Sequence, residues 1–151
     1  MSRIEVEVED GRWRDAVPAV RTVVRRAAQL AAGAKEGPEI AILLTNDGRI
    51  AALNAQFRGK DEPTNVLSFP APHASGVLGD VALAFDVCER EAREQKKRLT
   101  DHVRHLVIHG VLHLRGYDHE TETDAVVMEG MERRLLARLC VPDPYASEAT
   151  E

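Results

Sequence analysis

The first apolar pattern in the chain has a period of two. Ile4, Val6 and Val8 alternate with Arg3, Glu5 and Glu7, which predicts a half-buried strand. The period then lengthens: Val17, Val20, Val24, Ala27 and Ala28 recur at three- and four-residue steps within residues 13–32, predicting one helix with Pro18 near its start and Gly33 near its stop. Residues 40–44 form a short unbroken apolar run closed by Asn46, Asp47 and Gly48, the pattern of a buried strand and a turn. Ile50, Leu53, Asn54 and Phe57 mark a short amphipathic helix, followed by a polar loop over 59–64 that contains Pro63. Residues 66–69 and 81–85 predict two further strands, separated by a loop rich in Pro, Ala, Gly and His. Three helices are expected at about 87–98, 100–115 and 123–139. Four strands among about five helices, with two strand–helix–strand successions, predict an α+β fold: one mixed sheet packed by helices.

Length agrees with that picture. At 151 residues, 44% of them hydrophobic, the chain suits a single domain over 1–151. A chain of this size buries roughly 68–70% of the surface its unfolded form exposes, so its core needs no disulfide or structural metal. Cys88 and Cys140 stand in no metal-binding or disulfide spacing. No apolar run approaches the ~20 residues of a membrane helix, and the acidic, alternating N-terminus is unlike a signal peptide, so a cytoplasmic location is expected.

The net charge of −5 argues against indiscriminate nucleic-acid binding, whose affinity comes mostly from neutralised phosphates. The charge is uneven, however. Residues 11–35 carry six basic side chains (Arg12, Arg14, Arg21, Arg25, Arg26, Lys35) against Asp15 alone, and residues 90–115 carry seven against three acids. Such segments either form solvated helix faces or meet a polyanion.

The chemistry concentrates in the segment HGVLHLRGYDH, residues 109–119. His109 and His113 are one helical turn apart, so their imidazoles share a face and converge on one ion. Gly116 stands where a helix ends in a left-handed turn, which folds the chain back and presents His119 as a third ligand. Val103, Leu106, Val107, Gly110, Val111 and Leu114 form an apolar stripe beside the histidines, with Ile108 and Leu112 on the other flank, so this helix is expected to be central and buried. His102 and His105, one and two turns earlier, are read as surface or supporting residues, and His73 as unrelated. Three neutral histidines around one Zn²⁺ per chain leave an open position, the arrangement of catalytic zinc, whose bound water has its pKa lowered to ~7.

The spacing HxxxHxxGxxH is similar to that of metzincin peptidases, but Gly110 stands where their general-base glutamate would be. The whole segment resembles instead the signature of the YbeY family, zinc-dependent single-strand endoribonucleases of rRNA maturation and ribosome quality control. The stretch LNAQFRGKDEPTNVLSFP, residues 53–70, and the run Leu78-Gly79-Asp80-Val81 resemble the family's other motifs in order and separation. The resemblance spans about residues 40–142, including the region of Met131 and Glu132, with one departure: Asn65 occupies a position where many relatives carry aspartate. It implies that His109, His113 and His119 are the zinc ligands and that Arg58 matches the arginine the family needs for activity. A guanidinium fork suits phosphoryl charge better than a lysine does. Asp118, next to a ligand, is read as orienting an imidazole. The implied partners are single-stranded RNA, rRNA and the ribosome. Only six aromatic residues occur, so a base-stacking platform is not expected, and recognition is expected to rest on phosphate and RNA shape. Two other readings stay open. A metallopeptidase would need Asp118 or Asp80 as base, and a non-catalytic ribosome-associated zinc protein would need a fourth protein ligand.

Overall fold

The computed structural model describes residues 3–33, 37–72 and 76–145, so His73 and Lys35 lie outside the described residues. Alternation sets the first strand as expected: β1 (Ile4–Val8) buries Ile4 and Val6 and exposes Glu5 and Glu7. The helix expected over 13–32 is two, α1 (Arg12–Ala16) and α2 (Val20–Ala32). Pro18 breaks it. The residue before a proline is driven out of the helical region, and Val17 is extended at φ −124°, ψ 100°, while Ala19 turns to φ 54° before α2 begins. Trp13 is thereby placed fully in the core, edge-on to Phe85 with ring centroids 5.1 Å apart, and its indole N–H donates to the Thr45 carbonyl at 2.9 Å.

The other strands are β2 (Glu39–Thr45), β3 (Val66–Pro70) and β4 (Val77–Ala84). The sheet order is β1-β2-β4-β3, with β1, β2 and β4 parallel and β3 antiparallel to β4. This is the expected mixed sheet of four strands. The turn expected at residues 46–48 is a helix start instead. The Asn46 side chain accepts the Arg49 N–H at 2.8 Å, and α3 (Asp47–Arg58) follows directly. α4 (Phe85–Glu94), α5 (Leu99–Leu114) and α6 (Glu122–Arg138) complete six helices among the described residues, the sixth being the product of the Pro18 break.

One sheet face carries the main core. Ile40, Ile42, Leu44, Val81 and Leu83 pack there with α2 and α5, and α5 is central as expected, with Val103, Val107, Ile108, Val111 and Leu112 wholly excluded from solvent. The helix rests close on the strands because Gly110 lacks a side chain. A Cβ at that position would stand 2.7 Å from a Val81 methyl and 3.2 Å from the Ser68 hydroxyl. The other sheet face is covered only in part, by Ile50 of α3 over Leu67, Ala82 and Ala84. Arginines close both sheet edges: Arg21 and Arg25 donate to the Val6 and Ile4 carbonyls of β1, and Arg58 donates to the Ser68 carbonyl of β3. Much of the basic charge in 11–35 is therefore committed within the molecule, with Arg12 held between Asp10 and Asp86. Among the described residues no helix is long and apolar enough to cross a membrane.

Candidate metal centre

The end of α5 builds the site. Gly116, at φ 98°, is the left-handed residue that the sequence calls for. Its N–H bonds to the His113 carbonyl at 3.0 Å, and the Tyr117 N–H reaches back to the Leu112 carbonyl at 3.1 Å, the paired bonds of a Schellman ending. Arg115 ties this corner to the end of α2 through the Ala31 carbonyl at 2.6 Å. The chain reverses and His119 returns to its neighbours. Its ring stacks on His109 with centroids 5.4 Å apart and lies 5.1 Å from His113.

One ligating atom from each of His109, His113 and His119 falls within 4.8 Å of the others, so the three residues could hold a metal. The tautomers favour it. His109 Nδ1 lies 2.6 Å from Glu132 Oε2 and donates its proton there, which leaves Nε2 a lone pair; His113 Nε2 faces that lone pair at 3.1 Å. Burial, followed by the charges of His109 and His119, holds the His113 imidazole below its ordinary pKa, so it is neutral and ready to ligate. Three imidazoles with free ring nitrogens, on one side open to solvent at exposed His119, fit a divalent ion of intermediate softness.

Sequence reasoning missed the support of this cluster. Glu132 of α6 is fully buried and is the acceptor for His109, for His105 Nε2 at 3.0 Å and for the Tyr145 hydroxyl. Burial alone would raise the carboxyl pKa, but the hydrogen bonds from His105, His109 and Tyr145 outweigh it and hold the group well below the usual carboxylate range. A signal existed in the sequence: Met128, Glu132, Leu135 and Leu136 share one buried helical stripe, so an acid stands at a core position. Asp118, read as orienting an imidazole, accepts the Glu120 N–H at 3.2 Å, and the carboxylate that orients His109 is Glu132. His105, read as a surface or supporting residue, meets the same Glu132 carboxylate. His102, also buried, belongs to a separate network in which its Nε2 meets Glu91 at 2.9 Å and Asn65 donates to the same carboxylate at 3.0 Å.

Arg58 stands apart from the histidines. It is the last residue of α3, and its guanidinium donates to the Ser68 carbonyl at 3.1 Å, while the Ser68 hydroxyl donates to the Gly110 carbonyl beside His109 at 3.0 Å. One strand residue thus joins Arg58 to the histidine helix. The position also lines a groove of about 1440 Å³ over the partly covered sheet face, with Phe57, Phe69, Leu53 and Asp80.

Residues 4–140 match the profile of the family described as Endoribonuclease YbeY. The chain belongs to that family. A protein of Maricaulis maris named Endoribonuclease YbeY is 49% identical over 98% of this chain and 94% of its own length. One of Jannaschia sp. with the same name is 53% identical over 70% of this chain and 75% of its own. Among solved structures, the solution structure of a Thermotoga maritima protein shares the fold at a TM-score of 0.59 and 26% identity, covering 99% of this chain and 93% of that one. The match runs through both chemical segments of the YbeY-family chain, the arginine-bearing 53–70 stretch and the histidine segment 109–119.

Proposed function

We propose that this chain is a zinc-dependent endoribonuclease that hydrolyses phosphodiester bonds in single-stranded RNA, acting in the cytoplasm in rRNA 3′ end maturation and ribosome quality control. The observation that carries the reading is the convergence of three imidazoles, one of them oriented by a buried carboxylate, in a member of an endoribonuclease family. His109, His113 and His119 hold one zinc per chain. The bound ion supplies an electrophile that lowers the pKa of water to about 7 and so furnishes a nucleophile at neutral pH. Glu132 keeps the proton on His109 Nδ1, which frees Nε2 for ligation and raises its basicity. Arg58, pinned through Ser68 to the histidine helix, places two-pronged positive charge on the phosphoryl oxygens as they gain charge in the transition state.

The peptidase reading needs Asp118 or Asp80 as base, since Gly110 would point any side chain at Val81 of the sheet; Asp80 lines the groove with Arg58, and Asp118 accepts the Glu120 N–H. A purely structural zinc calls for a fourth protein ligand, and among the described residues three donors converge. Metal analysis paired with cleavage of a single-stranded rRNA fragment tests the proposal. Wild type is expected to carry about one zinc per chain and to cut the RNA. His109→Ala, His113→Ala and His119→Ala should each lose most of the metal, and cleavage with it. Undiminished zinc in all three variants, or no RNA cleavage by zinc-loaded wild type, overturns it.

A further inference from the structure

Phe57 is 59% exposed, although its ring is in contact with Phe69, the centroids 5.2 Å apart and the planes tilted by 55°. The pair joins two elements. Phe57 comes from the last turn of α3 and Phe69 from β3, on the partly covered face of the sheet, and both line the groove of about 1440 Å³. An aromatic ring braced by a second ring and left open on its other side is a platform for a planar group. The surrounding charges state which group. Arg58 follows Phe57 in the chain, and among the described residues its hydrogen-bond partner is a backbone carbonyl, so its charge is not neutralised by a carboxylate. Arg3, on the same groove, is neutralised by Glu5 and Glu39 at 3.0 and 3.3 Å. Asp80 stands opposite Phe69 in the β3–β4 register and is exposed. An acceptor there suits the amino edge of a base and not its phosphate. A cation on one side of an aromatic pair and a carboxylate beside the other fit a nucleotide, phosphate toward Arg58 and base toward the rings.

We propose that Phe57 and Phe69 form a stacking subsite for one unpaired base of the RNA chain, the base that flanks the phosphodiester held by Arg58. Six aromatic residues are too few for a platform that reads several bases, but Phe57 and Phe69 meet in the groove, where Phe57 is exposed. The subsite makes the enzyme a reader of strandedness. A base locked in a duplex has no free face to offer, so single-stranded RNA is selected by stacking without any sequence code.

The inference rests on the RNA-cleaving reading above, and the test separates the two. Zinc-loaded protein is titrated with short single-stranded RNAs carrying 2-aminopurine at each position in turn around the cleaved bond, and single-turnover rates are measured over the same concentrations. Wild type should quench the fluorophore at one position flanking the bond. Phe57→Ala should abolish that quenching and raise the half-saturating concentration about 5- to 100-fold, with little change in the saturating rate. Phe57→Tyr should bind like wild type, whereas Phe57→Leu, apolar but without a π face, should behave like the alanine variant. If Phe57→Ala keeps the wild-type half-saturation and quenching while RNA is still cut, the subsite is overturned and the nuclease reading stands; a surface for a protein segment would give that result. Residue-57-dependent quenching with no cleavage by wild type would uphold the subsite and overturn the nuclease reading.

Discussion

The histidine cluster and the Arg58 rim lie on either side of Ser68, and they are built in opposite ways. At the cluster the contact that orients His109 is short and shielded: Glu132 is wholly buried and receives three hydrogen bonds, and His109 is fixed through one of them. At the rim the side chains are exposed, Arg58 is held by a single bond to a carbonyl, and Phe57 offers most of its surface to solvent. Under the proposed function the contrast separates two tasks. A metal site needs ligands locked within a fraction of an ångström by a surrounding shell, whereas a groove for a flexible polyanion gains from side chains that settle on the strand as it arrives. The Ser68 hydroxyl at the Gly110 carbonyl connects the rigid half to the adaptable one.

The sharpest way to break this comparison is at Arg58. If its charge acts on the transition state, Arg58→Ala should lower the single-turnover rate at saturating RNA by ~10²–10³-fold, as loss of one such donor does, with zinc content unchanged. Arg58→Lys should recover only part of the rate, because a point charge lacks the fork. Phe57, one residue earlier, should show the reverse signature, a change in half-saturation with the rate intact. Equal saturating rates for wild type and Arg58→Ala would make Arg58 a binding residue only, with a loss that depends on salt.

The rigid half is probed at Glu132. Glu132→Gln preserves shape but replaces one acceptor oxygen with a donor, which then faces a histidine or the Tyr145 hydroxyl, themselves donors. Zinc affinity should fall about 10- to 100-fold, the usual cost of losing a carboxylate behind a ligating imidazole. Competition with a metal-chelating dye measures it. Unchanged affinity would mean that the helix backbone alone orients His109.

What could be read from the chain follows this same division. β1, α5 and the turn at Gly116 are local patterns, fixed by alternation, by the 103–114 stripe and by a glycine at the right offset, so His109, His113 and His119 could be placed together from spacing alone. Pro18 misled because a proline serves either at the first turn of a helix or as its breaker, and the deciding fact, Val17 extended so that Trp13 reaches the core, is tertiary. Asn46 has the composition of a turn and of a helix cap equally. β4 begins four residues before its apolar run because Val77, Gly79 and Asp80 pair with β2 across a register shift at Leu78, which periodicity does not show. Glu132 lies 23 residues from His109, and only the packing of α6 on α5 brings the two together.

The smallest expected effect concerns the far end of α5, where His102 is buried against Glu91 and Asn65 away from both halves of the site. Burial lowers the His102 pKa from its ordinary 6.5, with Glu91 opposing, and the charges of His105 and Lys97 adding to the depression. The unfolded chain therefore binds a proton at His102 before the folded protein does. Stability is full above the ordinary value and falls as the pH drops below about 6.5, with a slope of at most about 1.4 kcal/mol per pH unit for one proton. His113, depressed in the same direction, contributes with the same sign in metal-free protein. Urea unfolding of chelated protein between pH 7.5 and pH 5.5 should show this loss, and His102→Gln and His113→Gln should each flatten the slope. Eleven residues apart on one helix and with no shared partner in contact, the two effects should add. A slope that His102→Gln steepens instead of flattening would show that His102 stays charged beside Glu91, making the Asn65–Glu91–His102 network an ion pair and not the neutral hydrogen-bonded brace its burial implies.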